Sequence, residues 1–158
     1  MELNKAYYLQ LLLFFLLNFG ALAIGSLFTG KGVPSDWYAN LNKAPWTPPG
    51  WVFGAAWTLI MVCFSFYMAY AVGLVEQKGL LIGMFILQWI LNVSWNPVFF
   101  YYHNMLFGLI MISALTVLVA VFLLKFWSVM GTANILIAPY FIWLIIATSL
   151  NAYALVQN

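Results

Sequence analysis

The chain contains no arginine, three acidic residues, one cysteine and one histidine in 158 residues. Without arginine or a cluster of lysines there is no basic face to track a phosphate backbone, which excludes nucleic acid as a partner. The single cysteine, Cys63, lies inside an apolar run; it excludes an intrachain disulfide and reads as a small buried hydrophobe. His103 and Cys63 are too few and too far apart in sequence for a protein-only metal site, so no metal is expected. Glu2, Asp36 and Glu76 all fall in a terminus or a loop, leaving no carboxylate inside an apolar tract. Proton-driven transport normally needs such a group, and its absence counts against it. A Ser/His/Asp arrangement would have to use Asp36 and His103, neither with an activating motif beside it, so hydrolysis has no support.

What the chain does have is apolar length. It is 66% hydrophobic, 20% aromatic and 5% charged, with a mean hydropathy of +1.03, against roughly 25% charged residues in ordinary soluble domains. Charges, prolines and small polar clusters divide it into five tracts, each near the length of about 20 residues that crosses a bilayer as helix. They run at about 6–28, 51–75, 79–101, 105–127 and 133–156. The expectation is an all-α integral membrane protein, one domain over 1–158, built as a five-transmembrane-helix bundle. Only the first connection, 29–50, is long, and the tight later ones predict that consecutive helices are antiparallel neighbours.

Lys5, the apolar run from Leu9 to Phe19 and the triplet Ala21-Leu22-Ala23 imitate a signal peptide, but the run continues through Phe28, which favours an uncleaved first span. Lys5, Lys78 and Lys125 on one side against Lys31 and Lys43 on the other do not orient the protein. The short N-terminal stretch, without an Arg- and Ser-rich transit peptide, and the little chain beyond Asn151 favour a bacterial cell membrane, with the mitochondrial outer membrane as the eukaryotic counterpart. Trp37, Trp46, Trp51, Tyr101, Tyr102, Trp127 and Tyr153 fall near span ends, as interfacial belts do. Gly79 to Gly83 is a GxxxG, and Ala21 to Gly25 a small-xxx-small pair; packing within the bundle and a homodimer seam both account for them.

The polar and aromatic residues within the spans recur at helical spacing. Gln88, Asn92 and Asn96 form one stripe with Trp95 beside it, Pro139, Trp143, Ala147 and Asn151 a second, and Trp57, Met61 and Ser65 a third. An amide in hydrocarbon must find a hydrogen bond, so the first stripe faces the bundle or a cavity. Any one stripe is explained by ordinary packing; three with mid-span indoles and amides converge on an apolar ligand pocket with few polar anchors. Ahead of the second span, APWTPPGWVFGAAW puts Pro45, Pro48 and Pro49 around Trp46. Prolines restrict the backbone to few conformations, so this segment is expected to form a stiff lid over the pocket, with Pro49 suited to open a helix.

Asp36-Trp37-Tyr38, Leu41-Asn42-Lys43, Pro45-Trp46-Thr47-Pro48-Pro49-Gly50-Trp51-Val52-Phe53 with Trp57, Leu91-Asn92 with Trp95, Pro97, Phe99 and Phe100, and Pro139-Tyr140 with Trp143, Ala147-Thr148 and Leu150-Asn151 closely resemble the translocator protein family. That family is also called TspO/MBR, tryptophan-rich sensory protein, or peripheral-type benzodiazepine receptor. The resemblance implies a five-helix homodimer in the lipid bilayer. Its pocket would bind small molecules: protoporphyrin IX and haem, ligands of the isoquinoline carboxamide and benzodiazepine types, and in some members a sterol. Carried over by motif, Tyr38, Trp57, Asn92, Trp95, Trp143 and Ala147 would line the pocket, and Trp46, Met61, Gln88 and Asn96 join them from the lid and the stripes. Trp57 and Asn92 look like contacts to a ligand carbonyl. Trp57 and Trp143 look like the tryptophans linked to light-dependent porphyrin breakdown, the only catalytic role in view. No obligatory cofactor is implied.

In one respect the chain departs from the family. The sterol motif proposed for the last helix needs a cation after its tyrosine, and Ala154 to Asn158, which follow Tyr153, contain none. The leading expectation is thus a membrane receptor for tetrapyrroles and other flat apolar ligands, with porphyrin sensing or photo-oxidative breakdown as its role. Transport of porphyrins or sterols is the alternative.

Overall fold

The computed structural model describes residues 5–158; Glu2 lies outside the described residues. Seven α-helices follow one another: α1 (Lys5–Gly32), α2 (Asp36–Asn40), α3 (Gly50–Leu74), α4 (Lys78–Phe100), α5 (Met105–Lys125), α6 (Trp127–Met130) and α7 (Ala138–Gln157), with a 3-10 segment, Gly131–Leu136, before the last. Five of them, α1, α3, α4, α5 and α7, are long and apolar enough to cross a membrane. The chain is an all-α, multi-pass integral membrane protein with a five-helix bundle.

Two span boundaries differ from the sequence expectation. α1 runs on to Gly32 rather than stopping near 28; it ends where Val33 precedes Pro34, since a proline disfavours helical backbone in the residue before it. The lid is therefore shorter and contains α2, whose first turn is capped by the Ser35 hydroxyl accepting from the Tyr38 amide at 3.3 Å. The last span starts at Ala138, not 133, with Pro139 in its first turn, where its missing N–H costs nothing. The residues before it fold as α6 and the 3-10 segment and pack beneath α3.

The order of helices also differs. α1 packs against α3 and α4, α4 against α5, α5 against α7, and α7 closes on α3. Helices α3 and α4, joined by only Val75, Glu76 and Gln77, are separated along most of their length by α1. They meet through long side chains instead, with the rings of Phe64 and Phe85 stacked at 6.0 Å. A tight loop fixes two helix ends as neighbours but leaves the rest free to splay, and the broad apolar face of α1 fills the wedge. Of the two small-residue spacings, Ala21 and Gly25 pack inside the bundle, whereas a side chain at Gly79 or Gly83 would meet nothing within 4 Å.

The bundle is packed unequally along its axis. At the end nearest the α3–α4 turn, Phe64, Tyr67, Met68, Leu81, Phe122, Tyr140 and Leu144 are fully enclosed, and the Phe64 ring lies 5.3 to 6.0 Å from those of Tyr67, Phe85, Phe122 and Tyr140. Buried polar groups join the helices here. The Asn18 amide donates to the Ser65 hydroxyl at 2.9 Å, and the Tyr140 hydroxyl to Gln88 Oε1 at 2.8 Å. Tyr140→Phe strands that buried acceptor and is expected to cost about 1–2 kcal/mol in a detergent unfolding assay. Adding Gln88→Leu should recover part of the loss, because an apolar pair leaves nothing unpaired.

Candidate functional site

At the opposite end the helices do not close on one another. They surround a cavity of about 600 Å³, within the range of small-molecule sites. Its walls are Ala21, Gly25 and Thr29 of α1, Phe53 and Trp57 of α3, Asn92, Trp95, Asn96 and Phe99 of α4, and Trp143, Ala147 and Asn151 of α7. Ile112 of α5 lies at the inner end, and Tyr38, Lys43, Thr47 and Pro48 form the roof. Gly25 permits the close approach of α1 to α4, for a Cβ there would lie 2.8 Å from the Asn96 amide nitrogen.

The roof is fastened on two sides. Trp37 of α2 stacks on the His103 ring at 4.0 Å and 11°, and meets Phe99 edge-on at 5.5 Å. His103 takes a φ of 52° in the turn between α4 and α5, a left-handed conformation uncommon outside glycine. On the other side the Asn42 amides donate to Asn158 Oδ1 at 2.9 Å and to the Gln157 carbonyl at 3.0 Å. Between Asn42 and α3, the Thr47 amide closes a turn on the Ala44 carbonyl at 2.9 Å, and Pro49 caps α3.

Of the residues singled out from sequence, Tyr38, Trp57, Asn92, Trp95, Asn96, Trp143 and Ala147 come together on the cavity wall. Three do not. Trp46 is 53% exposed; its ring N–H donates to Ser149 Oγ at 3.1 Å and its face meets Tyr153, so it pins the lid to the outside of α7. Met61 is buried one turn too deep, in the packed half. Gln88 is engaged by Tyr140. Gly25, Phe53, Phe99 and Asn151 line the cavity without having been named as site residues, although Asn151 stands on the Trp143 stripe and Gly25 in the small-residue spacing.

The polar groups of the wall differ in what they still have to offer. Asn151 accepts from the Trp95 ring N–H at 3.2 Å and donates to the Ala147 carbonyl at 2.9 Å; Asn96 donates to the Asn92 carbonyl at 3.0 Å. By contrast, the Trp143 ring N–H is buried without a partner. The Trp57 ring N–H and the Asn92 side-chain amide likewise make no hydrogen bond among the described residues. The Trp57 and Asn92 groups border the cavity, where a ligand could pair with them. The Trp143 ring is set by Phe53, edge-on at 5.3 Å, and the Trp57 ring by Tyr140, at 6.1 Å. Burial pushes the Tyr38 phenol above its ordinary range. No grouping of His, Cys, Asp and Glu suited to a metal ion occurs among the described residues.

Residues 11–156 match the sequence pattern of the TspO/MBR family. The chain is 36% identical over 125 residues to a tryptophan-rich sensory protein of Cereibacter sphaeroides, covering 79% of this chain and 78% of that one. It is 35% identical over 129 residues to the tryptophan-rich protein TspO of Archaeoglobus fulgidus, covering 80% and 82%. To the translocator protein of Homo sapiens it is 32% identical over 134 residues, covering 81% and 78%. With five membrane helices around a tryptophan-walled cavity and a match over nearly its whole length, the chain belongs to the TspO/MBR family.

Proposed function

We propose that the protein is a membrane receptor for tetrapyrroles, binding protoporphyrin IX in the cavity beneath the roof. The observation that carries this reading is the wall itself: two indole rings, Trp57 and Trp143, with unpartnered N–H groups and the Asn92 amide beside them, in an otherwise apolar space. Flat rings offer a stacking surface to a flat macrocycle, and the few polar groups would orient it. Among the described residues no histidine, cysteine or methionine lines the cavity, which supports the metal-free porphyrin over haem held by such an axial ligand. The fully packed opposite half supports binding over passage, since flux would require repacking Phe64, Tyr67 and Phe122. The open Gly79 and Gly83 face supports a homodimer seam there rather than intrachain packing.

Titration of the purified protein with protoporphyrin IX in the dark, read by quenching of tryptophan fluorescence, tests the reading. Saturable binding is expected, with Asn92→Ala and Trp57→Ala each weakening it about tenfold, the effect of losing one well-placed buried contact. Unchanged affinity in both variants would overturn it.

A further inference from the structure

Among the described residues lining the cavity, Lys43 alone carries a charge. It is half-buried in the roof, between α2 and α3. Its ammonium stands 4.6 Å from the centre of the Tyr38 ring and makes one long hydrogen bond, 3.4 Å, to the Ala39 carbonyl. No carboxylate of a described residue pairs with it. A lysine ammonium has three N–H donors; an aromatic face and a single carbonyl hold the cation in place without neutralising it. Tyr38, a phenol neutral at physiological pH, is no counter-ion either. Deeper in the cavity the unpartnered ring N–H of Trp57 is also a donor. The site thus offers an apolar slot with donors along its wall and one full positive charge at its roof.

We propose that Lys43 is the anchor for a carboxylate on the bound ligand, so that the cavity selects flat apolar acids over their esters. The acid group is held beneath the roof, and the apolar body lies against Trp57 and Trp143. This deepens the tetrapyrrole reading, because protoporphyrin IX carries propionates, but it is a statement about ligand class that another flat acid can also test.

Two acid and ester pairs serve as probes: protoporphyrin IX with its dimethyl ester, and pyrenebutyric acid with its methyl ester. Each is titrated in the dark into the wild-type protein, Lys43→Met, Lys43→Arg and Lys31→Met, which removes a charge at the same end of the bundle from a residue that does not line the cavity. The wild type is expected to bind each acid about tenfold more tightly than its ester, the effect of one charge-assisted hydrogen bond. Lys43→Met should abolish that difference by weakening the acids alone. Lys43→Arg should keep it, Lys31→Met should leave it intact, and added salt should reduce it. Equal affinity of acid and ester in the wild type would overturn the assignment, as would an equal loss for both in Lys43→Met, which would make Lys43 a structural part of the roof. Failure of either pyrene or porphyrin acid to bind saturably also overturns it for that ligand class. If porphyrin binds and depends on Asn92 without distinguishing acid from ester, the tetrapyrrole reading stands and the Lys43 anchor falls. If protoporphyrin IX does not bind saturably while pyrenebutyric acid shows the Lys43-dependent preference, the anchor stands and the tetrapyrrole reading falls.

Discussion

Phe64→Ala is expected to lower the stability of the detergent-solubilised protein by about 3–5 kcal/mol. The ring is wholly enclosed and touches four other aromatic rings, contributed by α3, α4, α5 and α7. Its removal leaves a void that those rings cannot fill without leaving their rotamers, and the lost dispersion contacts account for most of the cost. Phe64 does not line the cavity, so at temperatures where the variant stays folded its ligand affinity should remain close to that of the wild type. Thermal unfolding beside a fluorescence titration separates the two effects. Equal loss of stability and affinity would mean that the packed half and the cavity half are not independent. Trp57→Ala should show the reverse pattern, with weaker binding and a smaller change in stability, because its ring already borders open space.

Gly32→Ala is the second large effect, and it acts on the roof. A methyl group on Gly32 would lie 2.6 Å from Phe100 Cβ and 2.7 Å from its Cγ, well inside contact distance and too near the backbone for a rotamer change to relieve. Phe100 would have to move against Trp95, Phe99 and Tyr38, whose rings lie 5.1 to 5.7 Å away. Overpacking of this kind costs about 1–3 kcal/mol. Since Phe100, Trp95 and Tyr38 all border the cavity, the strain is expected to weaken ligand binding as well as stability. Gly20→Ala is the control: a Cβ there meets nothing within 4 Å and the residue does not line the cavity, so both quantities should stay near the wild-type values. If Gly32→Ala behaved like Gly20→Ala, the close approach of α1 to α4 at this level would be wrong.

Much of the site was legible because indoles and amides within apolar spans are costly unless they face something. Asn92 and Asn96, one turn apart, and Trp143 and Ala147, one turn apart, had to point inward, and they do. The same reasoning carried Met61 and Gln88 along, as each shares a stripe with a true wall residue. Periodicity gives the direction in which a side chain leaves its helix but not the depth at which packing stops and open space begins. Met61 lies one turn below Trp57, and Gln88 one turn below Asn92, already in the packed half. Trp46 failed for another reason. Its neighbouring prolines indicated a stiff segment, but only the position of Ser149 and Tyr153 on α7 decided that its ring would lie outside the lid.

The sequence by itself determined that this protein crosses the membrane five times, that its polar groups converge inside the bundle, and, through its motifs, the family to which it belongs. Each follows from chain length, hydropathy and side-chain chemistry, which are local properties. The tertiary structure alone decided that α1 stands between α3 and α4, that the bundle is solid at one end and hollow at the other, and that Lys43 comes to rest in the cavity roof beside Tyr38 with no carboxylate partner among the described residues. Those outcomes depend on how the volumes of side chains from separate helices add up at each level, a sum that no single stretch of sequence contains.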